Sequence, residues 1–384
     1  MRTARLILLI VLGNTAWGAN LAPGLQDWKP GGPGEATFRK QADDRATLGV
    51  RGGGEDSVAW LTADLKLDPG AAYIFRFSTM AQGSGTIISG LEGVNRDFAP
   101  PATWTTQGFA FRVPDGGGPT ALRLGQWHLK GEALFNGVEL YPVQVTHRRW
   151  GDLVLGEGER IDGGVYTDTH VLHWQGSTIH RTLYKQNAGF NSNRWCFGPG
   201  SEIIYRHALP EPMRSGEVRL NVNYHTGGTL TVSASKDGQN WTKTAEGPKV
   251  GGIEAKLPAE LFPAKEIYIR LQAEGKNANL QVDSYAFRAQ LEKAEVERAG
   301  KTILLEERQI AKGLRVQAEA AVTGDLRLHW WNTEETAREF EVEAGCRTAA
   351  AAGRSTCSVT IPPKGEGFCI VRFATQPGLP GGIA

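Results

Sequence analysis

The chain has 384 residues, 40% of them hydrophobic, so it is too long for one ordinary domain and can bury cores in two or three. Lys and Arg number 42 against 41 Asp and Glu, a formal charge of +1, which excludes a basic nucleic-acid stripe and an acidic solvating tail. The 49 Gly and 19 Pro suit many turns between short strands.

Residues 1–18 read as a secretory signal. Arg2 and Arg5 precede the apolar run Leu6-Ile-Leu-Leu-Ile-Val-Leu12, and Ala16-Trp17-Gly18 offers small residues for cleavage after Gly18 or, as second choice, Ala19. The rival reading, an uncleaved anchor, needs ~20 apolar residues, more than this run provides. A secreted, periplasmic or cell-surface protein is expected, with no transmembrane segment after cleavage.

From 20 to 143, alternation of apolar and polar positions predicts strands over 73–78, 86–90, 109–113, 122–124 and 134–141. Asp68-Pro-Gly70, Gly83-Ser-Gly85 and Asp115-Gly-Gly-Gly-Pro119 supply turns between them. From 146 to 291 the same pattern predicts strands over 165–174, 202–207, 218–224, 230–235, 267–273 and 280–287. Lys236-Asp-Gly-Gln-Asn-Trp241 reads as a turn in which Gly238 takes positive φ and Trp241 folds back over the core. From 294 to 375, strands over 314–320 and 326–330 predict a small immunoglobulin-like sandwich. The stretch 291–298 fits either a short helix or a charged strand, and 376–384 is a flexible tail. The fold class is all-β: two tandem sandwiches followed by a smaller one.

The four cysteines suit an exported protein. A Cys346–Cys357 bridge is the first choice, worth about 2–3 kcal/mol through the unfolded chain. Cys346–Cys369 and Cys357–Cys369 stay open, because spacing does not give connectivity. Cys196 reads as a free, buried thiol, and the absence of paired CxxC spacing argues against zinc.

Candidate binding groups are aromatics with polar neighbours, because a flat indole stacks on the apolar C–H face of a sugar while amides and carboxylates take the hydroxyls. Of the 11 tryptophans, Trp60, Trp104, Trp127, Trp174 and Trp195 lie near strand ends or loops. Trp127, flanked by Gln126 and His128, is preferred. Asn95, Arg96 and Asp97 form a polar loop before Phe98. Lys185-Gln-Asn-Ala-Gly-Phe-Asn-Ser-Asn-Arg-Trp195 reads as a long polar loop. In it Asn187, Asn191, Asn193 and Arg194 could bind hydroxyls or a carboxylate, with Trp195 as platform. The bland alternatives are core tryptophans and a loop whose amides satisfy its own backbone.

Asp168-Thr-His170-Val-Leu-His173, with His180 beyond, looks like a metal cluster, but a strand puts His170 and His173 on opposite faces, so ordinary surface histidines are expected. There is no G-x-S-x-G elbow and no H-E-x-x-H. Gly52-Gly-Gly54 lacks the strand-to-helix context of a phosphate cradle. Catalytic residues are therefore not assigned.

Leu67-Asp-Pro-Gly-Ala-Ala-Tyr-Ile-Phe-Arg-Phe77, Thr103-Trp-Thr-Thr-Gln-Gly-Phe-Ala-Phe111 and Phe135-Asn-Gly-Val-Glu-Leu140 resemble the carbohydrate-binding modules that accompany bacterial xylanases and laminarinases. The resemblance spans most of 20–143 and implies a jelly roll of the galactose-binding-like superfamily. That family often has an aspartate near Asn136 that helps hold a structural calcium. Asn136 offers only an uncharged oxygen, Asp27 is the other candidate ligand, and no cofactor is expected. Ser233-Ala-Ser-Lys-Asp-Gly-Gln-Asn-Trp241, Tyr268-Ile-Arg-Leu271 and Leu280-Gln-Val-Asp283 are similar to discoidin-type sandwiches, which implies a second jelly roll over 146–291.

The expected function is non-catalytic binding of a carbohydrate or other cell-surface polymer, helped by two modules on one chain. The alternatives are a glycoside hydrolase with a carboxylate pair on one sandwich and a structural cell-envelope protein. No nucleic-acid partner is expected.

Overall fold

The computed structural model describes residues 4–6, 20–40, 46–91, 94–113, 120–172, 180–247, 249–293, 297–306, 308–311, 314–320, 325–332, 334–347 and 352–372. Most of the signal segment, the 115–119 turn, His173, Trp174 and the 376–384 tail lie outside these residues. No helix among the described residues is long and apolar enough to cross a membrane. The chain is all-β, and its contacts divide it into two compact units. One holds Leu21–Tyr141 with Glu157–Ala299. The other holds Met1–Asn20, Pro142–Gly156 and Gly300–Ala384.

In the first half of the larger unit, strand Ala72–Leu91 pairs antiparallel with Thr105–Arg112 and then, past a bend, with Val94–Phe98. Its period-two pattern has a direct outcome. Tyr73, Phe75, Phe77, Thr79 and Ala81 point inward and are buried, while Arg76 and Ser78 alternate outward. Phe77 packs against Phe98 and Phe135 at ring-centroid distances of 5.6 and 6.0 Å, closing an aromatic core between the sheets. The long strand Leu122–Trp150 supplies the partner for Ser57–Leu61 and, further on, for Ala46–Gly53. Several strands expected as separate pieces are segments of such long, bent strands.

The second half is a sandwich of two antiparallel sheets. In one, 183–186, 202–208, 266–274, 229–235 and 242–247 lie side by side. In the other, Glu159–Asp162, Val165–Val171, the 280–290 stretch, 215–222 and Gly251–Lys256 follow in order. Both sheets share the bent strands Glu202–Ser235 and Ala264–Leu291, which cross from one layer to the other at register shifts near 213 and 222–229. The apolar rows 267, 269, 271 and 230, 232, 234 face 218, 220, 222 and 285, 287, 289 to make the core. The turn after Ser235 is as expected: Gly238 has φ 69°, and the Asp237 carboxylate accepts the Gln239 and Asn240 N–H groups at 2.8 Å.

The smaller unit pairs Thr302–Glu306 with 143–147 and builds two further sheets. One holds Arg308–Ala311, Leu314–Ala320, Asp325–Asn332 and Glu366–Arg372. The other holds Ala4–Leu6, Arg338–Arg347 and Ala352–Ile361. Leu155, Leu328, Trp330, Val359 and Ile361 are among its buried apolar residues.

The hairpin register corrects the expected Cys346–Cys357 bridge. Cys346 lies opposite Gly353 and Cys357 opposite Val342, four positions away along the ladder. At ~3.4 Å per residue that is about 13 Å, far beyond the ~4.4–6.8 Å between Cα atoms that a disulfide spans. Cys369 is free and buried, and Cys196 is free but only half-buried.

Candidate functional site

Trp127 and His128 occupy a tight turn of the backbone within the bent strand Leu122–Trp150, where His128 takes φ 52°. The turn is built from inside by Gln126. Its Oε1 accepts the Leu129 N–H at 2.8 Å and its Nε2 donates to Asp56 Oδ1 at 3.1 Å. The His128 N–H donates to the Asp56 carbonyl at 2.9 Å. Gln126 is therefore fully buried, and the ligand-contacting role expected for it is corrected: it holds the turn and meets no solvent. Its neighbour points the other way, leaving Trp127 52% exposed. The indole stacks on the His128 ring at 4.4 Å and 17°, which fixes its plane.

Glycines let a second segment lie under this turn. A Cβ on Gly83 would come within 1.9 Å of the Lys130 carbonyl oxygen, and one on Gly85 within 2.4 Å of that of His128. This glycine bend begins at Ala81, whose N–H donates to the Pro101 carbonyl at 2.7 Å. Three residues after Pro101, Trp104 is 44% exposed. Trp127 and Trp104 are the exposed indoles among the described residues of the first half. Trp60, by contrast, is buried and donates Nε1–H to the Gly49 carbonyl at 2.9 Å.

The other predicted residues are brought together, but for a different task. Asn95 sits on a strand, Val94–Phe98, and the 185–195 stretch is a hairpin of Gly189–Asn191 and Arg194–Phe197 turning at Ser192, with φ 57°. The two pair in parallel, Phe190 to Val94 and Asn191 to Asn95, and so join the two halves of the larger unit. Asn95 Nδ2 donates to Asp97 Oδ1 at 2.9 Å and to Asn191 Oδ1 at 3.0 Å, and its Oδ1 accepts from Arg123 at 2.6 Å. The Asp97 N–H donates to Ser192 Oγ at 2.8 Å, and Arg194 donates to Asn193 Oδ1 at 2.7 Å. Asn95 is engaged at both its Nδ2 and its Oδ1, and Asn191 and Asn193 accept through their Oδ1 atoms. The platform expected at Trp195 is corrected too: it is fully buried and donates Nε1–H to the Tyr205 hydroxyl at 2.9 Å.

The sequence reading missed a polar cluster inside the second sandwich. Tyr166, Asp168 and His170 share the inward phase of Val165–Val171 and are all fully buried, so the surface location expected for His170 is corrected. Asp168 Oδ2 accepts from the Thr182 hydroxyl at 2.7 Å and lies 3.0 Å from His170 Nε2 and 3.6 Å from His207 Nδ1. Burial alone would raise the Asp168 pKa. The charge and hydrogen bond of His170, with help from His207 and Thr182, outweigh it and hold the carboxyl well below its usual range. His207 shares a hydrogen bond with the Tyr285 hydroxyl at 2.8 Å and stacks on Phe287 at 4.0 Å. Burial pushes its pKa down to about 3 despite Asp168.

A second buried acid adjoins the cluster. Glu159 accepts both Arg181 Nε at 2.6 Å and Nη2 at 2.5 Å, and the Tyr166 hydroxyl at 2.6 Å. Burial raises Glu159 against the lowering by Arg181, and it raises Tyr166 as well. The readable signal was parity: three consecutive inward positions of one strand, 166, 168 and 170, are polar. Among the described residues, no group of three or more His, Cys, Asp or Glu is placed to hold a metal ion.

No family model and no curated protein matches the chain. Solved structures to which it is similar include the N-terminal CBM22-1-CBM22-2 tandem domain of Paenibacillus barcinonensis Xyn10C, at 11% identity and TM-score 0.27, covering 72% of this chain and 99% of that one. The CBM22-1-GH10 modules of Clostridium thermocellum xylanase 10B, complexed with xylohexaose, align at 15% identity and TM-score 0.24 over 32% of this chain and 27% of that one. The family 11 carbohydrate-binding module of Clostridium thermocellum Lic26A-Cel5E aligns at 10% identity and TM-score 0.20 over 36% of this chain and 95% of that one.

Proposed function

We propose that this is an exported, cofactor-free protein that binds carbohydrate without cleaving it, through Trp127 and Trp104 on the first sandwich. The observation that carries the reading is Trp127 itself: a large apolar ring left 52% exposed and held at a fixed angle by His128 on a turn locked from within. An exposed indole with no ligand costs solvation, and burying it against a sugar C–H face recovers that. Glu159 and Asp168, the acids of the buried polar cluster, are sealed in the core and reach no substrate, which favours binding over hydrolysis.

The test uses the full chain in affinity electrophoresis through gels containing arabinoxylan, laminarin or polygalacturonate, with reducing ends assayed in parallel. Retention without new reducing ends, weakened at least tenfold in Trp127→Ala, is the expected result. New reducing ends, or no retention by any of the three, overturns the proposal.

A further inference from the structure

The outer face of one sheet of the second sandwich is unlike the other exposed surfaces described above. Along strand Ala264–Leu291 the outward residues from 266 to 274 run acidic, aromatic, basic, amide, acidic: Glu266, Tyr268, Arg270, Gln272, Glu274. At ~3.4 Å per residue this row is about 27 Å long. Tyr184, on the edge strand 183–186, which the strand 202–208 separates from this row, is 47% exposed. Its ring meets that of Tyr268 edge to face at 5.3 Å and 78°. Tyr268 is in turn fixed by the Arg206 guanidinium 5.9 Å from its centroid, and a Cβ on Gly238 would touch its ring at 3.4 Å. The Tyr184 ring is therefore braced from behind while remaining open to solvent. At the other side of the row, Arg270 lies 4.4 Å over the Trp241 indole.

The charges on this face decide what could lie there. Arg206 Nε binds Glu266 Oε1 at 2.5 Å, Lys185 binds Glu202 at 2.8 Å, and Lys243 binds Glu246. Arg270 is in no such pair, but Glu274 in the same row offsets its charge, so acidic and basic groups on the face balance and leave no net charge to draw in a polyanion. It offers braced aromatic surface beside paired donors and acceptors, the chemistry of a neutral, hydroxyl-rich chain.

We propose that this face is a second glycan-binding surface, on which a neutral polysaccharide lies along the 266–274 row with Tyr184 as its stacking platform. The inference rests on the carbohydrate reading of the first sandwich. It adds a separate site and a charge class, and two sites on one chain raise the hold on a polymer by 10²–10⁴, as a rough range, without new contacts at either.

The same gels test it, using the full chain and the variants Tyr184→Ala, Tyr184→Phe and Trp127→Ala. Tyr184→Ala is expected to weaken retention by arabinoxylan or laminarin at least tenfold, Tyr184→Phe to keep it, and the Tyr184→Ala/Trp127→Ala pair to abolish it. Retention unchanged in Tyr184→Ala but lost in Trp127→Ala overturns the second surface and leaves the first standing. Preference for polygalacturonate over both neutral polymers overturns the neutral occupant. If no gel retains the wild type, the carbohydrate reading falls and this surface falls with it. Tyr184 is exposed, so unfolding of the variant is not the expected cause of loss, and an unchanged thermal midpoint confirms that.

Discussion

His207 makes the second sandwich sensitive to acid. The imidazole is fully buried between Phe287, Tyr285 and Tyr166, and its pKa in the fold is about 3. An unfolded histidine titrates near 6.5. Between these values the unfolded chain takes up a proton that the folded chain refuses, so stability is present above about pH 6.5 and is lost as pH falls. At about 1.36 kcal/mol per pH unit, moving from pH 7 to pH 5 removes about 2 kcal/mol. The full effect, on the order of 5 kcal/mol, develops only near pH 3. Other groups around the ring act in different windows or directions. Asp168 is depressed, so its contribution fades only below its unfolded value near 3.9. Glu159 is raised, so it works the opposite way, favouring the fold as pH falls. Both remain in a His207→Phe variant, which keeps a ring against Phe287 but has no proton to take up. Urea midpoints measured from pH 7 to pH 5, read by hydrogen exchange of the 202–208 strand, should fall for the wild type by about 2 kcal/mol more than for the variant. Equal slopes for the two would refute the reasoning, because the buried imidazole would then not be the group that takes up the proton.

Glu159→Gln breaks the bidentate contact with Arg181 and leaves a largely buried guanidinium facing a neutral amide. A loss of about 3–5 kcal/mol at pH 7 is expected in urea unfolding. Asn95→Ala removes three hydrogen bonds at the junction of the two halves of the larger unit. It should cost about 1–3 kcal/mol in thermal or urea unfolding while leaving polysaccharide retention unchanged. Reduced retention without lost stability would restore Asn95 to a ligand role. Thiol titration of the denatured, unreduced protein should count all 4 cysteines, and a count of two would contradict the hairpin register of Cys346 and Cys357.

The amino-acid order by itself determined the class of the fold. Tyr73, Phe75 and Phe77, or Val218, Leu220 and Val222, repeat with period two, and only a strand puts such residues on one face. The turn at Gly238 was legible for the same local reason, as was the exposed Trp127 between two polar neighbours. Tertiary structure decided the rest. Asn95 and Asn191 lie 96 positions apart and look alike as polar loop residues, but parallel pairing of their strands makes each the other's partner. Trp127 and Trp195 are the same residue type in similar company, and one ends on a turn while the other ends against Tyr205. The polar inward row at 166, 168 and 170 could be phased from sequence. Its meaning needed the opposite sheet, which brings His207 and Tyr205 across the core. Side-chain alternation is a property of neighbouring residues, whereas burial and pairing depend on what a distant strand places opposite them.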